Sequence, residues 1–168
     1  GGSPGGEGHP VLCVAEGGIN WNSDMNIAKK MIDSAIEAGC NSIKWQKRKI
    51  EVVYSPEELS RPRESPWGTT NGELKRALEF TPHQWDELDA YCKSKHFSYW
   101  ASAWDEASVD FLAQYDVPCF KIASACLTDD NLLRHHRQYK KPIILSTGMS
   151  TIPQIDRAVD ILGTDDLI

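Results

Sequence analysis

Short apolar runs alternate with longer amphipathic stretches along most of this chain, and no other feature restricts the fold as much. Five runs of four or five residues are predicted to be strands: 11–15, 42–45, 99–102, 119–123 and 142–146. Most are apolar on both faces, as strands are when a core covers one face and helices cover the other. Strands that alternate with helices predict a parallel sheet built from β/α units.

The intervening segments carry helix start and stop signals. The first predicted helix has Ser23 as its N-cap and Gly39 as its terminator. Capping residues predict four further starts, at Thr81 with Gln84, at Asp105, at Thr128 or Asp129, and at Thr151 with Gln154.

Three segments stand outside this alternation. Residues 1–10 contain five glycines and two prolines, a composition that predicts an unpacked tail, so the domain is assigned to residues 11–168. Residues 48–80 are predicted to be a long loop, functional or disordered, because connections between β and α elements are usually a few residues long. Residues 165–168 have the character of a sixth strand that is just starting.

Two architectures fit this pattern. One is a small doubly wound sheet, and the other is a (β/α)8 barrel truncated to about five β/α units plus the start of strand six. Periodicity does not choose between them.

Composition excludes several classes of function. The 168 residues include 18 basic and 24 acidic side chains, and the net charge of -6 gives no reason to expect a nucleic acid or an anionic membrane as partner. No stretch approaches the roughly 18 apolar residues that a membrane span needs. The five cysteines show neither zinc nor disulfide spacing, so we expect reduced thiols in a soluble, cytoplasmic protein.

Ligands bind at the carboxyl ends of parallel strands, so the polar residues there are the candidates for chemistry. Two lysines within apolar strands, Lys44 and Lys121, are costly to bury without partners. With neighbouring hydroxyls they would form a cationic socket for a phosphate or carboxylate. The alternative is that each lysine reaches solvent or pairs with a carboxylate. Glu16, after the first strand, is either a general acid or base or a structural ion-pair partner of Lys44.

Other residues give weaker signals. His135 and His136 are adjacent on a predicted helix and point in different directions, so we expect them on a solvated surface rather than on one metal. Four tryptophans lie near strand ends or in the long segment, where they either pack in the core or stack on a sugar ring: Trp21, Trp67, Trp100 and Trp104.

Several motifs resemble the sialic acid synthase family over nearly the whole chain. They are AEGGIN at 15–20, EAGC at 37–40, IKWQK at 43–47, SPWGTTNGELKRALEF at 65–80, FKIAS at 120–124 and KPIILSTGMST at 141–151. The resemblance implies the barrel rather than the doubly wound sheet. It also implies an N-acetylneuraminate synthase-type enzyme, a transferase that condenses phosphoenolpyruvate with an N-acetylated amino sugar to give a nonulosonic acid and phosphate.

The same resemblance implies residue roles. Glu16 matches the catalytic glutamate, and Gln46 matches a residue near the amino sugar. Four residues match the phosphoenolpyruvate site: Lys44, Lys121, Ser124 and Ser146. The sequence departs from the family at Trp21, where a histidine usually follows the asparagine, and at Cys126, where a glutamate is usual.

The resemblance implies a divalent metal, manganese or magnesium, whose ligands we expect outside this chain, so no metal ligand is assigned here. An alternative is a truncated, catalytically inactive module that binds phosphate or phosphoenolpyruvate. An incomplete barrel has unpaired strand edges, so we also expect a homo-oligomer.

Overall fold

A five-stranded parallel sheet organises the computed structural model, which describes residue 6 and residues 8–168. Its strands are β1 (Val14–Gly18), β2 (Ser42–Lys47), β5 (Ser98–Ala103), β6 (Phe120–Ile122) and β7 (Ile143–Leu145), and a separate antiparallel hairpin consists of β3 (Pro62–Ser65) and β4 (Gly68–Thr70). The helices are α1 (Met25–Glu37), α2 (Ile50–Val53), α3 (Pro56–Ser60), α4 (Asn71–Ala77), α5 (Pro82–Ser94), α6 (Glu106–Ala113), α7 (Asp130–Arg137) and α8 (Ile152–Leu162). Within the described part, no helix has the length and apolar character needed to cross a membrane.

The spatial order of the strands equals their order along the chain. The sheet runs β1-β2-β5-β6-β7, and Leu167 forms a parallel bridge to Ile143 on the far side of β7. A doubly wound sheet would reverse direction at a switch point, whereas successive β/α units of a barrel are added at one edge. The prediction of a barrel-type α/β fold with a sixth strand just starting is therefore confirmed, although five strands and one bridge do not close a barrel.

The predicted boundaries of the first strand are wrong by three residues. The strand begins at Val14 rather than Val11, which is 85% exposed, and it continues through the two glycines that follow Glu16. Gly17 lies within this strand, and a Cβ atom at its position would be only 2.8 Å from the ring of Trp45. The missing side chain, which favours a turn when read from the sequence, instead allows close packing of β1 on β2.

Most helix caps follow the predictions. Thr81 and Gln84 form a capping box, the side chains of Asp105 and Asp129 cap α6 and α7, and Gln84 accepts a 2.9 Å hydrogen bond from the Thr81 N–H. The first helix differs, because Asp24 rather than Ser23 accepts the hydrogen bond from the Asn26 N–H. Ser23 has a φ of 60°, so it lies in the turn before the cap.

The segment between β2 and α5 is structured rather than a loop. It contains α2, α3, the β3–β4 hairpin and α4, and its α4 begins with a capping box between Thr70 and Glu73. The prediction of a loop is wrong because each element is short, from three residues in β4 to seven in α4, and periodicity is hard to recognise over so few residues.

Aromatic side chains fill the layer between the sheet and its helices. Trp21 stacks on Phe80 with ring centroids 4.0 Å apart, and its indole N–H donates to the Leu78 carbonyl at 3.2 Å. Trp45 and Trp85 meet the same phenyl ring edge-on. Trp21 and Trp100 are buried, so core packing rather than sugar stacking describes them; Trp67 and Trp104 are partly exposed.

The prediction of a solvated surface is wrong for His136. This side chain is fully buried on the inner face of α7, where its ring meets Phe120 edge-on. Its Nδ1 lies 2.9 Å from the Leu132 carbonyl and therefore donates to it. His135 is partly exposed and contacts Asp110 at 2.7 Å, so the two rings do point in different directions.

Candidate functional site

Strand register places most of the predicted site residues on one face of the sheet. Glu16 is the register partner of Lys44, and Gln46 is aligned with Ser102, which in turn is aligned with Lys121. Residues aligned across a sheet point to the same face, and residues two apart on one strand do so as well. The carboxylate, the amide, the hydroxyl and both ammonium groups therefore share the face opposite the aromatic layer.

Lys44 pairs with Glu16. Its Nζ lies 2.8 Å from Glu16 Oε2 and 3.5 Å from the Ser102 hydroxyl. The Lys44 side chain is 14% exposed and that of Glu16 is 68% exposed. The ion-pair interpretation of Glu16 thus describes the structure without ligand, and an exposed carboxylate can leave the pair at low cost.

Lys121 has a different environment. Its Nζ donates to the Ser146 hydroxyl at 2.5 Å and to the Ile122 carbonyl at 2.9 Å, and the residue is 9% exposed. Burial lowers the pKa of its ammonium group, and the positive charge of Lys44 lowers this pKa further. The two lysines are therefore close enough for the charge of Lys44 to act on Lys121.

Ser124 and Cys126 lie just beyond the carboxyl end of β6, in a 3₁₀ turn that spans Ser124–Cys126. The chain after β7 approaches this turn, since a Cβ on Gly148 would be 3.5 Å from the Ser124 hydroxyl. Cys126, which occupies the position of the usual family glutamate, is buried, and burial raises the pKa of its thiol to about 11. The thiol therefore cannot replace the glutamate as a negative charge near pH 7.

Ser102 is a site residue that the sequence analysis missed. It is buried, it lies beneath the Lys44 ammonium, and it is the register partner of Lys121. Because it falls inside an apolar strand, it looks like an ordinary strand residue. The available signal was its position two residues after Trp100, which places it on the same face as that inward side chain.

An ion-pair network at the carboxyl end of β2 was also missed. Arg48 Nε donates to Glu79 Oε1 at 2.6 Å, and its guanidinium donates to the Tyr54 hydroxyl at 3.0 Å. Asp105 accepts a 2.7 Å hydrogen bond from the Lys49 N–H, which ties the end of β2 to the start of α6. A cleft of about 450 Å³ lies beside this network, between α6 and the segment after β2.

The described residues do not fit a metal ion. In residue 6 and residues 8–168, no three histidine, cysteine, aspartate or glutamate side chains form a group that could hold one. The side chain of Gln46 makes no hydrogen bond within the described part of the chain, so its amide is free to bind a ligand. The arrangement offers positive charge, hydroxyl groups and one exposed carboxylate, and the charges and hydroxyls suit a small anionic ligand.

Comparisons with known proteins identify the family of this chain. The model of the NeuB family matches residues 31–168. N-acetylneuraminate-9-phosphate synthase of Mus musculus is 35% identical over 156 residues, and N,N'-diacetyllegionaminic acid synthase of Legionella pneumophila is 29% identical over 160 residues. These matches cover 92% and 94% of this chain, but 44% and 45% of the two relatives.

A solved structure shows the same fold. The N-acetylneuraminic acid synthetase of Leptospira borgpetersenii, in complex with citrate, superposes with a TM-score of 0.79 at 26% sequence identity. The match covers 92% of this chain and 50% of that one. The chain thus spans about half the length of the relatives it matches. The family model covers well over half of the present sequence, and the chain therefore belongs to the NeuB family of sialic and related nonulosonic acid synthases.

Proposed function

We propose that this chain carries the phosphoenolpyruvate-binding part of a synthase that condenses phosphoenolpyruvate with an N-acetylated amino sugar such as N-acetylmannosamine. The observation that carries the proposal is the placement of Lys44 and Lys121 on one sheet face, beside the hydroxyls of Ser102 and Ser146. The products would be a nonulosonic acid and phosphate. The names of the relatives support this class of reaction.

The charges of the socket suit phosphoenolpyruvate, which carries a carboxylate and a phosphate on adjacent positions. Lys44 can exchange the exposed Glu16 carboxylate for a carboxylate or phosphate of the substrate. Lys121 is buried beside Ser146, so a phosphate there would gain one charge contact and one directional hydrogen bond. A substrate anion would also supply Lys121 with the negatively charged partner that it lacks among the described residues, and this would oppose the lowering of its pKa by burial.

Glu16 and Gln46 are proposed to act on the amino sugar. Once released from Lys44, the Glu16 carboxylate is a base or acid within reach of the same face, where it can move a proton of a sugar hydroxyl. Gln46 lies two residues beyond Lys44 with an uncommitted amide that can both donate and accept. No step in this proposal passes through a metal ion.

The test is calorimetric titration of phosphoenolpyruvate into the wild-type chain and into a Lys44→Ala, Lys121→Ala double variant. We expect heat of binding in the wild type and none in the double variant. The matched control is Lys93→Ala, Lys140→Ala, which removes the same charge from two exposed positions and should bind as the wild type does. Absence of binding in the wild type, or equal loss in both variants, would refute the socket.

A second candidate function is binding of phosphoenolpyruvate without turnover. The ion pair of Glu16 with Lys44 favours it, because a carboxylate that stays in contact with Lys44 is not available to a sugar. Release of phosphate from phosphoenolpyruvate in the presence of N-acetylmannosamine and manganese separates the two functions. Phosphate release that is lost in Glu16→Gln supports the synthase, whereas binding with no release supports the module.

A further inference from the structure

The two lysines of the socket differ in the partners that their Nζ atoms contact. Lys44 Nζ has a carboxylate at 2.8 Å, but Lys121 Nζ has no carboxylate within 4.0 Å in the part of the chain that the structure describes. Lys121 instead donates to two neutral oxygens, those of Ile122 and Ser146. When this amine is neutral, the two acceptors can take both of its hydrogens, and its lone pair remains for a ligand.

The surroundings of Lys121 make this neutral form more accessible than it is in an exposed lysine. Burial lowers the pKa of the ammonium group, and the nearby Lys44 charge lowers it again. Two groups raise the pKa of Lys121 instead. They are Glu16, which is paired with Lys44 and mostly exposed, and the buried thiol of Cys126. A lysine that is desolvated beside a second cation is the arrangement that converts an amine into a nucleophile near neutral pH.

We propose that Lys121 is a nucleophile that forms a reversible imine with 2-oxo acids, while Lys44 holds the carboxylate of the same acid. The inference deepens the proposed function, on which it rests in placing a carboxylate-bearing ligand in this socket. The open-chain form of a nonulosonic acid is itself a 2-oxo acid, as is pyruvate. Such acids would occupy the phosphoenolpyruvate position covalently and inhibit condensation.

The step needs no further reactant. The lone pair of Lys121 Nζ forms a C–N bond to the keto carbon, and the carbonyl oxygen becomes a hydroxyl. The two hydrogens originally on nitrogen leave with that oxygen as water, and a C=N bond replaces C=O. The Ser146 hydroxyl, 2.5 Å from Nζ, is placed to pass a proton between nitrogen and oxygen.

Lys44 cannot take the same role. Its Nζ is already engaged by the Glu16 carboxylate at 2.8 Å, the place that a ligand carboxylate would take over. In the complex its positive charge would meet the carboxylate on the carbon next to the reacting carbonyl. This division predicts that one lysine of the socket is modified and that its neighbour is not.

The test is trapping with pyruvate and sodium cyanoborohydride over a range of pH, followed by digestion and mass mapping. We expect one predominant reduced pyruvate adduct, on the peptide that contains Lys121 and in excess over an exposed lysine such as Lys140, since a lowered pKa increases the neutral fraction at a given pH. Inorganic phosphate, which competes for the socket, should protect Lys121 and leave the background on Lys140 unchanged. This protection is read in the wild type and so does not depend on the folding of any variant.

Variants define the two roles. Lys121→Arg should abolish the adduct, and Lys140→Arg should not change it. Lys44→Arg should retain trapping at Lys121, whereas Lys44→Gln should weaken it and move its pH profile upward, because the neighbouring charge is gone. Uniform labelling of all lysines, or Lys121 labelling that phosphate leaves unchanged, would overturn the inference.

The inference and the proposed function can fail separately. Calorimetric binding of phosphoenolpyruvate without an adduct at Lys121 would overturn the nucleophile and leave the proposed function standing. An adduct at Lys121 without binding of phosphoenolpyruvate would sustain the nucleophile and refute the proposed function.

Discussion

The imidazole of His136 lies between α7 and the sheet with one ring nitrogen lacking a partner. Nδ1 donates to the Leu132 carbonyl, so Nε2 carries a bare lone pair, and within the described residues nothing donates to it. Protonation would place an unpartnered N–H and a positive charge against Phe120. Burial accordingly lowers the pKa of His136 from 6.5 to about 4.

This burial predicts a loss of stability in mild acid. In the unfolded chain His136 gains its proton near pH 6.5, but in the native state it does so only near 4. Between these values the unfolded state binds more protons, so the free energy of unfolding should fall as the pH falls, by up to about 3 kcal/mol. Urea unfolding at a series of pH values between 7 and 4 measures this slope.

A pair of histidine variants isolates the effect. His136→Leu removes the buried titrating group, and its unfolding free energy should lose this part of the pH slope. His83→Leu changes an exposed histidine and should keep the wild-type slope. A slope that is the same in both variants would mean that other groups cause the acid sensitivity.

Among single residues, unusual ones were predictable and ordinary ones were not. Lys44 and Lys121 attract attention because a charge inside an apolar strand needs a reason, and the structure places both on one face. Ser102 and His136 follow no such rule, since a serine or a histidine fits both a surface and an interior. Their surroundings come from distant parts of the chain.

At the scale of elements, the contact between β1 and β2 depends on the lack of a side chain at Gly17. We expect Gly17→Ala to destabilise the protein by about 1 to 3 kcal/mol, because the new methyl would overlap the Trp45 ring. Thermal or urea unfolding gives the change. Gly148→Ala is the control, since its Cβ would meet Ser124 at ordinary contact distance and stability should change little.

Asp105 joins two elements, whereas Asp129 only caps one. Asp105 accepts from the Ser108 N–H at 2.8 Å and from the Lys49 N–H at 2.7 Å, so Asp105→Ala loses a helix cap and also the hydrogen bond that holds the end of β2. We expect a cost of about 2 to 3 kcal/mol.

Asp129→Ala is the matched variant. It loses one hydrogen bond, from the Leu132 N–H, and should cost about 1 kcal/mol. Equal losses of unfolding free energy in the two variants would show that the link from Asp105 to Lys49 contributes nothing to stability.

Elements with strong local signals were predicted, and short or context-dependent ones were not. Capping at Thr81, Asp105 and Asp129 is encoded by neighbouring residues, so the sequence alone predicts those helix starts. The start of β1 depends instead on pairing with β2, and the elements between residues 48 and 80 are stabilised by contacts such as that of Arg48 with Glu79. Such contacts are not visible in any short window of sequence.

At the scale of the whole molecule, the outer edge of β1 predicts self-association of this chain. Within the described residues β1 pairs with β2 alone, and an apolar groove of about 390 Å³ lies between β1 and α1. Unpaired strand edges beside apolar surface pair readily with another copy. Sedimentation over a range of concentrations should show a mass that rises above that of one chain.

Two substitutions on α1 test which surface is responsible. Ile27→Glu places a charge in the groove and should shift the association to higher concentration. Ile36→Glu, at an exposed position outside the groove, should not. A single-chain mass at every concentration would refute the prediction.

The alternation of strands and helices predicted the fold class of the molecule. The resemblance of several motifs to a known family was needed to choose the barrel. Alternation of strands and helices is equally compatible with both parallel folds, because the order of strands in space leaves no trace in periodicity. The structure supplies that order. It also explains why the residues of the socket lie close together. Glu16, Lys44 and Lys121 lie on β1, β2 and β6, which all fall within four neighbouring strands of the sheet.

The agreement between strand order in space and along the chain bears on how the protein is made. Each new strand pairs with an edge that has already been synthesised: β2 on β1, β5 on β2, and so on to Leu167 on β7. The sheet can therefore grow from its N-terminal edge while the ribosome is still adding residues, and the longest loop closure is the one between β2 and β5. Within the described residues the outer side of β1 gains no partner at any of these steps, so it stays available throughout translation to a chaperone or a second nascent chain.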